Sequence, residues 1–155
     1  MPSIKRLLTL SSLVIVGLAV LSGAPQGAEA ATITVDTTVD ELNSNGNCSL
    51  REAVQAANTD ATVDACSAGS GADSITLPVG TFTLTLGSEL SISSDVALNG
   101  ASAKTTIIEA ATSPGSASWR VFNIASGIVS VSDVTVRHGK LADHGAGVLN
   151  AGTLT

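Results

Sequence analysis

Tyrosine is missing from the 155 residues, and Phe82, Trp119 and Phe122 are the whole aromatic complement. Positive charge is scarce too: seven Lys and Arg stand against thirteen Asp and Glu. Nucleic-acid binding needs Lys and Arg clustered against phosphates. The chain has no basic stripe, so that partner class is excluded. The same acidity argues against a polyanionic substrate unless a bound cation intervenes. One long apolar run occurs, Leu7 to Leu21. It falls short of the ~20 residues a membrane helix needs, and no membrane span is expected in the mature chain. What dominates instead is Ser, Thr, Ala, Val and Gly. Small and β-branched residues at this density suit stacked strands and tight turns rather than helical packing.

Lys5 and Arg6 precede the apolar run, and Ala28-Glu29-Ala30 fits an A-x-A cleavage site. The expectation is a signal peptide over residues 1–30, cleaved after Ala30. No cysteine follows the run within that segment, so no lipoprotein anchor is expected there. From Ala31 onward the chain keeps five Lys/Arg and twelve Asp/Glu, a formal charge of −7. The remaining ~125 residues suffice for one domain with a core. Cys48 and Cys66 are the two cysteines, and in an exported chain they read as a disulfide. A metal pair is the weaker reading, because no histidine lies near them.

Cys48-Ser-Leu-Arg-Glu-Ala-Val-Gln-Ala-Ala-Asn58 is the most informative stretch. Ser49 and Glu52 stand at the S-x-x-E spacing of a capping box, so a helix is expected over Ser49–Asn58. Leu50, Ala53, Val54 and Ala57 recur at i, i+3, i+4 and i+7 and make one face apolar. Strands surround this helix. They are expected at Ala31–Val39, Ser74–Leu77, Thr81–Leu86, Leu90–Ser93, Val96–Leu98, Thr106–Glu109, Arg120–Ile124, Ile128–Val131 and Val134–Val136. Asn99-Gly100 is read as a turn. Leu90–Gly100 and Val129–Gly139 echo each other: alternating apolar and Ser positions, then Asp-Val, then Gly. Such recurrence suggests a solenoid, whose coils share a core that none could bury alone. A β-sandwich, which also shows short alternating strands, is the alternative.

The run Cys48–Ala53 spells C-S-L-R-E-A and resembles the CSLREA domain, a bacterial module at the N-terminus of secreted or surface proteins that continue as parallel β-helices. Gly145-Ala-Gly-Val-Leu-Asn-Ala-Gly-Thr-Leu-Thr155 resembles the G-G-G-I-x-N-x-G-T-L-T runs of bacterial surface β-helices akin to polymorphic outer-membrane proteins. The resemblance implies an all-β, right-handed parallel β-helix of the pectin-lyase-like kind, with a short N-terminal capping helix. Residues 31–86 would form the cap and first coil, and residues 87–155 further coils. The G-T-L-T unit breaks off at Thr155, so the chain is expected to be truncated. The helix would lay Leu50 and Val54 over the open first coil, leaving Arg51 and Glu52 as solvent or capping residues.

Secreted β-helices of the kind the resemblance implies include polygalacturonases and lyases. Glycoside hydrolysis needs flanking carboxylates, and the chain has neither an adjacent Asp pair nor the R-I-K of polygalacturonases. Arg137-His138-Gly139 only partly matches their G-H-G. Asp133, His138, Lys140, Asp143 and His144 read as turn and surface residues. No catalytic residue, cofactor or metal is expected. The expected role is structural or adhesive contact with an extracellular carbohydrate or protein. The alternative is the start of a polysaccharide lyase or hydrolase.

Overall fold

A computed structural model describes residues 29–142 and 145–155. Most of the expected signal segment, together with Asp143 and His144, lies outside the described residues.

The described chain runs β1 (Thr32–Thr34), α1 (Leu50–Thr59), β2 (Asp73–Leu77), β3 (Gly80–Thr83), β4 (Leu90–Ile92), β5 (Val96–Gly100), β6 (Thr106–Glu109), β7 (Phe122–Ile124), β8 (Ile128–Ser132), β9 (Thr135–Arg137), β10 (Val148–Asn150) and β11 (Thr153–Leu154). Three sheets form, ordered β1-β2-β5-β8-β11, β3-β6-β9 and β4-β7-β10. From β2 onward the chain visits them in strict rotation, adding one strand to each sheet per circuit. Every strand pair is parallel. A sandwich of antiparallel sheets is thereby excluded.

Register explains the alternating sequence. One position in two points inward, and in-register pairing stacks those positions into columns. Ile33, Ile75, Leu98 and Val131 form one column, Phe82, Ile108 and Val136 another, and Leu90, Phe122 and Val148 a third. Most of these side chains are fully buried. Each contributes roughly 1.5–3 kcal/mol through removal from water. The circuits are unequal: Leu98 to Val131 is a longer stretch than Ile75 to Leu98. The surplus falls largely between β6 and β7, where residues 110–121 replace the shorter 84–89 corner between β3 and β4.

Several strand expectations need correcting. Asn99 and Gly100 lie inside β5 rather than in a turn. A Cβ on Gly100 would meet the Asp133 carbonyl at 2.2 Å, so glycine here serves a close approach within the stack. The first strand stops at Thr34 instead of running to Val39, and Val39 is exposed. Past Val35 the backbone turns toward the helix, and the Asp36 carboxylate accepts the Cys48 N–H at 2.8 Å. β3 ends at Thr83, short of Leu86. The echo between Leu90–Gly100 and Val129–Gly139 is offset by one sheet: the first runs from β4 into β5, the second from β8 into β9. Both are strand–corner–strand units, which is why they look alike.

Cys48 and Cys66 are disulfide-bonded, with Cα atoms 4.8 Å apart. The bond ties the 59–72 loop to the helix start. A loop of this length confers about 3 kcal/mol in the chain-entropy account.

Candidate functional site

The polar residues of the helix motif are engaged one by one in joining α1 to the strands. Ser49 Oγ accepts the Glu52 N–H at 3.2 Å, and Glu52 Oε2 accepts the Ser49 N–H at 3.0 Å, closing a capping box. Glu52 is fully buried, and its Oε1 takes the Asn43 N–H at 2.9 Å. Leu50 and Val54 are buried, and α1 lies against β1, β2 and β4.

Arg51 is not a solvent residue. Its Nε and Nη2 grip Asp40 at 2.7 and 3.0 Å, a bidentate pair of the strong, planar kind. The same guanidinium donates to Ser88 Oγ, Ser88 O and Glu89 O at 3.0–3.3 Å. Asp40 Oδ2 in turn accepts the Leu86 N–H at 2.8 Å. Arg51 therefore rivets the helix to the 84–89 corner. Asn58 does the same at the other end: it donates to Ser91 O and accepts from Ser93 N–H and Ser94 Oγ. Asp60 closes α1 as a left-handed C-cap. A groove of about 400 Å³ beside α1 is lined by Leu42, Arg51, Val54, Asn58, Glu89 and Ser91 among others. Of its polar lining, Arg51 and Asn58 are engaged in these internal bonds.

A second cluster lies on the outer face of the β3-β6-β9 sheet. Phe82, Ile108 and Val136 point inward, so their neighbours Thr83, Glu109 and Arg137 point outward, and register sets these three side by side. Glu109 Oε1 accepts from Thr83 Oγ1 at 2.8 Å, while Arg137 Nε and Nη2 both reach Oε2 at 2.7 Å. Glu109 is 3 % exposed. His138 follows in a left-handed conformation, φ 61°. Its Nδ1 lies 2.8 Å from Ala111 O and 3.4 Å from Glu109 Oε2. Both neighbours are acceptors, which assigns the proton to Nδ1 and leaves Nε2 as the lone-pair nitrogen of the neutral ring.

Burial pushes the Glu109 carboxyl up, but hydrogen bonds from Arg137 and Thr83, the charge of Arg137 and, when its ring is protonated, that of His138 outweigh it, holding the group below its ordinary 4.5. A depressed carboxylate stabilises the fold above that ordinary value, and the contribution is lost as pH falls through the lowered one. Glu109→Gln is expected to flatten this acid limb. Thermal melts of both proteins from neutral pH to well below 4.5 test it. Parallel curves would refute the assignment.

Beside this cluster runs a groove of about 260 Å³ lined by Thr83, Leu84, Thr85, Ala110, Ala111 and Trp119 among others. Trp119 Nε1 is buried and without a partner among the described residues. Trp119 stands on the long 110–121 corner, so the insertion in the second circuit supplies one wall. Of the residues the sequence singled out, Arg137 and His138 meet, but at Glu109. Asp133 turns the corner between β8 and β9 with φ 55°. Lys140 Nζ donates to Gly115 O at 3.0 Å. Glu109 and Thr83 carried no motif, and only the register reveals them.

Among the described residues no group of three or more His, Cys, Asp or Glu side chains could hold a metal, and no helix is long and apolar enough to cross a membrane. Against known proteins, the chain matches no family model, no curated protein and no solved structure.

Proposed function

We propose that this chain is the capped N-terminal part of a right-handed parallel β-helix of the CSLREA kind, exported by a bacterium and displayed or secreted as a rod that contacts carbohydrate. The rotation of the chain through three parallel sheets supports the β-helix reading. The structural engagement of Ser49, Arg51, Glu52 and Asn58 supports α1 as its cap. Solenoids need such a terminal element to keep the first coil from edge-to-edge association.

One observation carries the carbohydrate reading. The Trp119 groove adjoins the Thr83–Glu109–Arg137 rung, giving an aromatic wall next to fixed hydrogen-bonding groups on an outer face. Binding sites combine such apolar walls with a few placed polar groups. Thr85 lines the groove from an exposed position. In a screen against immobilised glycans, Thr85→Arg, which fills the groove, is expected to weaken binding about tenfold or more without changing the melting temperature. Retention that Thr85→Arg leaves intact sinks the groove as the site, and no retention on any glycan sinks the reading.

A polysaccharide lyase or hydrolase is the second reading. It is favoured by the Ala111 carbonyl and the buried Glu109 carboxylate at His138 Nδ1, which leave Nε2 without a partner among the described residues, a base in waiting. Turnover of a polysaccharide that His138→Gln abolishes would establish it. Binding with no turnover leaves the structural role.

A further inference from the structure

The loop that carries the chain from β1 into α1 exposes the pair Asn45-Gly46. An Asn followed by Gly is the most reactive setting for a side-chain amide, because glycine has no Cβ to crowd its own nitrogen. Gly46 sits at φ 88°, and a Cβ built on it would meet nothing within 4 Å. The pair is nevertheless pinned at each reacting atom. Asn45 Nδ2 donates to Glu41 Oε2 at 2.8 Å, and Asn45 Oδ1 accepts the Asn47 N–H at 3.1 Å. The Gly46 N–H points at Asp64 Oδ2, 2.8 Å away, and the N–H groups of Asn45 and Asn47 converge on the same oxygen at 2.9 and 3.2 Å. Asp64 reaches this loop because its segment is fastened to it. Ala65 N donates to Asn47 O at 3.3 Å, and the Cys48–Cys66 disulfide closes the junction next door.

We infer that Asn45 is a site of spontaneous deamidation that the Cys48–Cys66 disulfide and Asp64 hold closed. In the reaction the Gly46 nitrogen attacks Asn45 Cγ. The Cγ–Nδ2 bond breaks, the amide nitrogen leaves as ammonia with the proton from Gly46, and a five-membered succinimide results. Water then opens the ring at either carbonyl, giving Asp or isoaspartate. The sum is amide plus water to acid plus ammonia, with no oxidant or reductant. Ring closure requires the Gly46 nitrogen to swing onto Cγ. It cannot do so while its N–H is bound to Asp64 and both ends of the Asn45 amide are held. Reducing the disulfide frees the Asp64 segment and opens the site, so a thiol reductant acts here as the trigger. The product reinforces the opening, because a carboxylate at 45 replaces an N–H donor with an oxygen facing Glu41 Oε2.

The chain supplies its own control. Asn99-Gly100 is the same dipeptide, but it lies inside β5, paired with β2 and β8. The oxidised protein, the dithiol-reduced and alkylated protein, and oxidised Asp64→Ala are incubated at mildly alkaline pH. Peptide mass spectrometry then follows conversion at both asparagines. Conversion at Asn45 is expected to be about tenfold or more faster in the reduced protein and in Asp64→Ala than in the oxidised parent, as loss of a local closing interaction dictates. Asn99 stays an amide throughout. Equal rates at Asn45 in all three samples would overturn the inference, as would an amide at 45 that survives in all. Conversion of Asn45 and Asn99 together in both altered samples would also overturn it, since that reports global unfolding.

Discussion

Arg51→Ala is expected to lower stability by about 3–5 kcal/mol, because it leaves Asp40 buried without its counter-charge. The side chains of Arg51 and Asp40 are 13 % and 4 % exposed, so solvent screens this pair far less than a surface one. Asp40 would keep only the Leu86 N–H, and the backbone oxygens of Ser88 and Glu89 would lose a donor each. For a domain of this size the loss amounts to a melting-temperature fall on the order of 10–15 °C. Arg51→Lys should recover little, since an ammonium cannot present the fork that spans Asp40 and the 84–89 corner. Asp40→Asn and the double variant complete the cycle and isolate the pair itself. An Arg51→Ala protein melting within about 2 °C of the parent would show that the rivet carries no weight.

Leu98→Ala should cost about 2–5 kcal/mol, the range for deleting a buried leucine whose cavity cannot collapse. Leu98 is fully buried between Ile75 and Val131, so both neighbours in the column are already held in their own strands. The same substitution at Leu154, which is 38 % exposed on β11, should cost about 1 kcal/mol or less. Identical chemistry at a central and an edge position separates column packing from composition. Urea denaturation of the two variants measures it, and equal midpoints would contradict a core built of stacked columns.

Much of this fold could be read in advance, and the reasons are local. Ser49, Glu52 and the apolar spacing of Leu50, Ala53, Val54 and Ala57 determine a helix through contacts within a single turn, so the motif and its position agree with α1. Alternation in Ser74–Leu77 and Thr106–Glu109 likewise reflects a pleat that each strand carries by itself. The parallel pairing and the disulfide were also accessible, the one through the resemblance carried by Cys48–Ala53 and the recurring strand units, the other from the two cysteines of a chain expected to be exported. The true circuits were not legible. They differ in length, so no fixed period exists for the eye to find, and the most visible echo aligns corners belonging to different sheets. The Glu109 cluster was hidden for the same reason. Thr83, Glu109 and Arg137 are brought together by register alone, and register depends on how many residues each corner spends. Arg51 was misjudged because its partner Asp40 lies in a loop with no periodic signal, and the value of that bond comes from burial that only the folded corner supplies.

The uneven circuits also determine where this molecule can change. Residues 110–121 form a corner outside the columns, and that corner brings Trp119 to the groove. Lengthening a corner costs only about 0.6 kcal/mol for each doubling, whereas altering a column position disturbs two neighbouring strands at once. Within the corner the exposed residues 112–116 stand apart from Ala110, Ala117 and Val121, which belong to the core. A library that varies residues 112–116 in length and composition, with the buried Ala110, Ala117, Arg120 and Val121 held constant, would test whether the proposed contacts at the groove can change on an unaltered frame.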